Sequence, residues 1–178
     1  IVVGRGGVGK SALVNEFVQG GAFLKDYDPT IEDLHSKYVS VGGRSHHLEI
    51  LDTAGQDAYS PLRSSFLDSG DGFIFVFAID DDSSFTELEA MFSTIDPAVP
   101  KILVGSKADL EEDRAVLVEE GEACAAKHGC SFVEISTKQK EGVHDVFMTL
   151  TRRIVASRTA ATGAEGITLE ENDAETQS

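Results

Sequence analysis

Gly4-Arg5-Gly6-Gly7-Val8-Gly9-Lys10-Ser11 is the stretch on which the fold turns. It fits G-x-x-x-x-G-K-[ST], follows the apolar Ile1-Val2-Val3, and opens a segment, Lys10 to Gln19, whose Leu13, Val14, Phe17 and Val18 share one helical face. Glycines let successive backbone N–H groups curl around phosphate oxygens, and a helix N-terminus adds a favourable dipole. In that cradle Lys10 neutralises β and γ phosphates and Ser11 offers its hydroxyl to Mg²⁺.

Working outward, the pattern alternates between short apolar runs and amphipathic stretches, which predicts an α/β fold. Leu34–Val41 and Ser45–Leu51 read as antiparallel strands joined by Gly42-Gly43, a pair suited to a tight turn. Gly72–Ile79 and Lys101–Gly105 are near-continuous apolar runs, as buried parallel strands require, and Ser131–Ile135 is a weaker third. Between them Ser83–Ile95, capped by Ser83 or Ser84, and Arg114–His128 read as helices. Val143, Val146, Phe147, Leu150 and Ile154 define a last amphipathic helix. The expectation is a six-stranded, mostly parallel sheet with one antiparallel edge strand and about five helices on both faces. Residues 1–156 read as one domain and Ser157–Ser178 as an acidic, disordered tail.

Composition narrows the function. The 178 residues carry 31 acidic and 15 basic side chains, a formal charge of -16, which repels phosphate backbones and anionic membranes. Nucleic acid is therefore excluded as a partner, whereas a nucleotide in a locally cationic site is not. Cys124 and Cys130 form no disulfide framework and read as free thiols of a reducing, cytoplasmic compartment. No run is long enough to span a membrane. The acidic triplets Asp80–Asp82 and Glu111–Asp113 read as solvated loops.

Asp52-Thr53-Ala54-Gly55-Gln56 ends an apolar strand. There Asp52 can reach the metal through water, Gly55 can present its N–H to a γ-phosphate, and Gln56 can orient an attacking water. With Tyr27-Asp28-Pro29-Thr30-Ile31-Glu32-Asp33 added, the chain from Ile1 to about Arg153 resembles the Ras family of small GTPases. Tyr27–Asp33 is similar to the family's switch I and effector segment, and Asp52–Gln56 to its switch II.

The resemblance implies a Ras-like G domain that binds GTP or GDP with Mg²⁺ and hydrolyses GTP. It implies nucleotide contacts from Gly4, Gly6, Gly7, Val8, Gly9, Lys10, Ser11 and Ala12, with Phe23 beside the base, Tyr27 and Pro29 over the phosphates, and Thr30 and Gly55 holding the γ-phosphate. Metal ligands would be Ser11 and Thr30, with Asp52 acting through water. Catalysis would rest on Gln56, Lys10, Thr30 and Gly55. Glycine at Gly6 leaves room for an arginine supplied by a GTPase-activating protein.

At the base the chain departs from the family's Asn-Lys-x-Asp and reads Ser106-Lys107-Ala108-Asp109. Asp109 can still accept from guanine N1–H and the exocyclic amine, so guanine preference is expected to survive. Ser106 is shorter than asparagine, which implies a weakened or lost tie between base and phosphate loop and faster nucleotide release. Ser136-Thr137-Lys138 resembles the family's Ser-Ala-Lys loop, with Thr137 adding bulk in the same direction.

The implied partners are an effector docking on Tyr27–Asp33 and the edge strand that follows, and a GTPase-activating protein and an exchange factor at the switches. Leu34, His35 and Ser36 depart from the closest relatives, which leaves the effector open. Leu62 and Phe66 form either the apolar part of switch II or the packing face of a second helix. The tail shows neither the prenylated cysteine box nor the basic stretch with which Ras relatives end, so no membrane anchor is visible and the expectation is either a soluble monomer or a chain whose native C-terminus extends further and carries the anchor. Two rivals remain. One is a nucleotide-binding interaction module that exchanges but hydrolyses little; the more distant is an adenine-nucleotide P-loop enzyme.

Overall fold

In the computed structural model residues 1–20, 33–53 and 69–167 are described, without side chains at 33 and 162–167. Six strands form one sheet in the order β2-β3-β1-β4-β5-β6. These are β1 (Val2–Val3), β2 (Asp33–Val41), β3 (Arg44–Asp52), β4 (Phe73–Ala78), β5 (Lys101–Ser106) and β6 (Ser131–Glu134). Every pairing is parallel except β2 with β3, whose nine pairs run from Asp33↔Asp52 to Val41↔Arg44 around the Gly42-Gly43 turn, both glycines at positive φ. Sheet and hairpin agree with the sequence expectation.

Four α-helices lie among the described residues, against about five expected: α1 (Lys10–Gln19), α2 (Asp82–Phe92), α3 (Val118–Lys127) and α4 (Val143–Ile167). The segment holding Leu62 and Phe66 is outside them. β4 shows why the sheet is apolar on both faces. Ile74, Val76 and Ala78 face a core with Val14, Phe17 and Phe147 of α1 and α4, while Phe73, Phe75 and Phe77 face a second core with Leu88, Phe92 and Cys124 of α2 and α3. Phe17 stacks on Phe147 and Phe75 on Phe92, each pair with centroids 4.0 Å apart.

Four local expectations need correction. The cap of α2 is Asp81, whose carboxylate accepts from Ser84 N at 3.3 Å, and neither serine. The helix expected from Arg114 begins at Val118, because Glu111–Asp113 form a 3₁₀ turn and Arg114 turns its guanidinium onto Glu111 and Glu134. Glu111 is thus ion-paired rather than merely solvated. Finally, α4 runs past Ala156 to Ile167, so disorder does not begin at Ser157. Ala156, Ala160 and Ala161 favour helix, and Arg158 pairs with Asp71 at 2.6 Å.

Candidate functional site

The site forms where β1, β3 and β5 end. β1 ends at Val3 and the chain turns through Gly4, whose φ is +150° and where a Cβ would lie 2.1 Å from Val76 O. Glycine is therefore obligatory at that position. Gly7 and Gly9 also take positive φ, +81° and +96°. Gly9 is the N-cap of α1 and offers no side chain, so the first N–H groups of the helix, at Lys10, Ser11 and Ala12, keep no capping partner from it. That is the geometry in which backbone donors converge on a phosphate.

Lys10 is buried, and its ammonium donates to Gly4 O and Arg5 O, both at 2.9 Å. A lysine buried among phosphate-loop carbonyls places its charge at the centre of the cradle. Val8 sits in the core and anchors the loop from below, while Gly6 is half-buried at its surface. Arg5 points away from the cradle. Its guanidinium donates to Ser83 Oγ and lies 3.7 Å from both Asp81 and Glu87, tying the loop to the start of α2. Ser83 foremost, with Arg5 adding, holds the Asp81 carboxyl below its ordinary range.

β3 brings Asp52 to the same mouth. Val2↔Asp52 fixes the register, and the next residue is pinned by Thr53 Oγ1 donating to Val2 O at 2.8 Å. Ser11 Oγ donates to Asp52 Oδ2 at 2.5 Å across 41 residues of sequence. Two hard oxygen groups in contact beside a phosphate cradle suit Mg²⁺, which takes few protein oxygens and keeps several waters. The residues present therefore fit the metal.

At the far end two loops meet. Ser106, at the end of β5, is 3% exposed, and its hydroxyl lies 2.5 Å from Val8 O and 2.8 Å from Phe77 O. The serine hydroxyl therefore reaches the phosphate loop directly. Lys107 takes φ +61° and lays its ammonium 3.1 and 3.2 Å from the Asp80 oxygens. Asp109 accepts from Ser136 Oγ at 2.7 Å and lies 3.5 Å from Lys138 Nζ. The Ser136 hydrogen bond, aided by Lys138, keeps the Asp109 carboxyl below its ordinary range and hence ionised. Ala108 N donates to Ile135 O at 3.0 Å, and Ser136 bridges Glu141, so the Ser106–Asp109 and Ser136–Lys138 loops, the latter carrying Thr137, form one unit.

Phe23, Tyr27, Pro29, Thr30, Gly55 and Gln56 lie outside the described residues. Sequence reasoning missed Asp80 as the partner of Lys107, and Asp81 and Ser83 as partners of Arg5. An acidic run placed where the β4–α2 turn crosses the phosphate loop was the available signal.

A glycine phosphate loop between β1 and α1, an adjoining serine–aspartate pair, and a carboxylate fixed at the opposite loop define a nucleotide-binding P-loop α/β domain. The Ras family model matches residues 1–156. Relatives include the Ras-related protein R-Ras of Homo sapiens, 44% identical over 159 residues, and that of Mus musculus, 43% identical over 159. Each alignment covers 86% of this chain and 72% of the relative. The chain belongs to the Ras family of small GTPases. Among the described residues no helix is long and apolar enough to cross a membrane.

Proposed function

We propose that this protein is a Mg²⁺-dependent guanine-nucleotide switch that hydrolyses GTP to GDP and phosphate. The observation that carries the reading is the contact of Ser11 with Asp52 at the mouth of a cradle holding buried Lys10. Asp109, kept ionised by Ser136, is the group that selects guanine, because its two oxygens match the N1–H and amino donors that adenine does not present.

Lys10 and the N–H groups of Gly7 to Ala12 hold the β and γ phosphates. Ser11 and Thr30 would be the metal's protein ligands, and Asp52 would accept from one of its waters. When bound, the metal neutralises charge developing on the phosphate oxygens. Gln56 orients a water in line with the γ-phosphorus; the new P–O bond forms as the bond to the β–γ bridging oxygen breaks, and the electron pair leaves on GDP. Thr30 and Gly55 hold the γ-phosphate by their N–H groups, so its departure releases both switches together. An effector would pair with β2, the edge strand following Tyr27–Asp33, and a GTPase-activating protein and exchange factor would act at the switches.

Single-turnover hydrolysis of preloaded GTP tests the reading, alone and with a Ras-type GTPase-activating protein. Phosphate release that accelerates with the activator and collapses in Gln56→Leu is expected. Bound GTP that persists under both conditions favours the second reading, an exchange-only interaction module, which Ser106 and Thr137 at the base loops keep open.

A further inference from the structure

Cys124 and Cys130 are both free thiols, and the end of α3 brings them to one place. The helix closes on Gly129, whose φ is +65°. Cys130 N donates to Ala125 O at 2.9 Å, and Gly129 N donates to Ala126 O at 3.3 Å. Those two bonds are the pattern of a Schellman turn, in which the residue after the left-handed glycine folds back onto the helix side chain six positions before it. Here the two residues are Cys130 and Cys124. Both pack into the core that holds Phe92 and Leu103, and a Cys130 thiolate is near enough to push the Cys124 thiol up. The pair stands at the start of β6, whereas the nucleotide site lies where β1, β3 and β5 end.

The two thiols differ in access. Cys124 is 5% exposed, whereas Cys130 keeps part of its surface in water. The Cys130 sulfur also accepts from Leu103 N and lies within the influence of two cations, Lys101 and Arg153. Arg153 is held there by donating to Lys101 O at 3.4 Å and to Ser131 Oγ. Cys130 is therefore the thiol that meets a reagent first, and Cys124 is the one placed to answer it. Burial pushes both up, Cys124 to about 11, so the pair reacts slowly and registers sustained oxidant rather than a brief pulse.

We propose that Cys124 and Cys130 form a reversible two-electron redox site whose oxidant is hydrogen peroxide and whose reductant is a small thiol. The Cys130 thiolate attacks one peroxide oxygen; the S–O bond forms as the O–O bond breaks, and the departing hydroxide takes up a proton to leave as water. Cys124 then attacks the sulfenic sulfur. The S–S bond forms as the S–O bond breaks, and a second water leaves with the proton of the Cys124 thiol. Two thiols have then given two electrons to one peroxide, and two molecules of a small thiol reverse the step by exchange. The proposal stands apart from the guanine-switch reading and survives or fails without it.

The test treats the full chain with hydrogen peroxide and follows its intact mass and its unreduced peptide map. The wild type is expected to lose two hydrogens while remaining a single chain. Trypsin cuts after Lys127, so the bridge appears as residues 115–127 joined to residues 128–138, and dithiothreitol separates them. Cys124→Ala is expected to stop at a Cys130 sulfenic acid that dimedone traps, and Cys130→Ala to leave Cys124 reduced over the same interval. In glutathione buffers the native chain is expected to favour the bridge about tenfold or more over the urea-unfolded chain. Wild-type protein that gains oxygen at Cys130 while Cys124 stays free overturns the proposal, as does a product linked only between chains, and neither result depends on a variant folding. A bridge no more favoured in the native chain than in urea overturns the assignment to the Schellman turn.

Discussion

Ser106 Oγ and Val8 O, 98 residues apart in sequence, meet at 2.5 Å and join the base loop to the phosphate loop. The contact ties the end of β5 to the cradle. Ser106→Ala is expected to cost about 1–2 kcal/mol in the nucleotide-free protein, since the one hydroxyl proton shared by the buried Val8 and Phe77 carbonyls is lost. Denaturant unfolding measures it; an unchanged midpoint would show that the contact contributes nothing. Ser106→Asn should slow GDP release by about fivefold or more through the added amide, and an unchanged release rate would dismiss the expectation that serine hastens release.

The Ser11–Asp52 pair makes a metal prediction. With GDP bound, Mg²⁺ is expected to raise the melting temperature of the wild type by stabilising the ligated state. Ser11→Ala and Asp52→Asn should lose most of that increment while melting close to wild type without nucleotide and metal. Chelation with EDTA should reproduce the loss. An increment that survives in both variants places the metal elsewhere.

Asp109 gives the pH dependence. Its carboxyl lies below the ordinary range, chiefly because Ser136 donates to it. A depressed carboxylate contributes above its unperturbed value and loses that contribution as pH falls through the lowered one. GDP affinity should therefore be insensitive to Asp109 near neutrality and fall only on the acid side. Ser136→Ala removes the largest cause, so the acid limb moves to higher pH. Titrating GDP affinity between about pH 4 and 7 reads the shift, and superimposable profiles would dismiss Ser136 as its origin.

Gly4→Ala tests the turn out of β1. Its Cβ would stand 2.1 Å from Val76 O, a backbone atom that cannot move without disturbing β4. The expected cost is about 3 kcal/mol, or a melting temperature lower by roughly 6–12 °C. A variant within about 2 °C of wild type would mean that the turn relaxes freely.

How far the sequence discloses the molecule can be argued residue by residue. β4 was legible because Phe73–Ala78 is covered on both faces and cannot alternate. The hairpin was legible because two consecutive glycines satisfy two consecutive positive φ angles. The cradle was legible because its chemistry is local, eight residues in a row. The start of α3 was not, since Arg114 answers to Glu134, on another strand 20 residues away. Nor was the role of Asp81, which depends on Arg5, far upstream in the phosphate loop. The protein contacts of Ser106 were not legible because its acceptors are backbone carbonyls, and a carbonyl carries no signature in the sequence.

Lys107 and Lys140 are the two non-glycine residues at positive φ among those described, and both stand at the loops around Asp109, whereas the phosphate cradle meets the same demand with glycine. A side chain in that conformation costs about 1 kcal/mol or more, and glycine almost nothing. The pocket therefore has a relaxed end and a sprung end. Local opening should begin at the sprung one, with the base let go while the phosphates are still held.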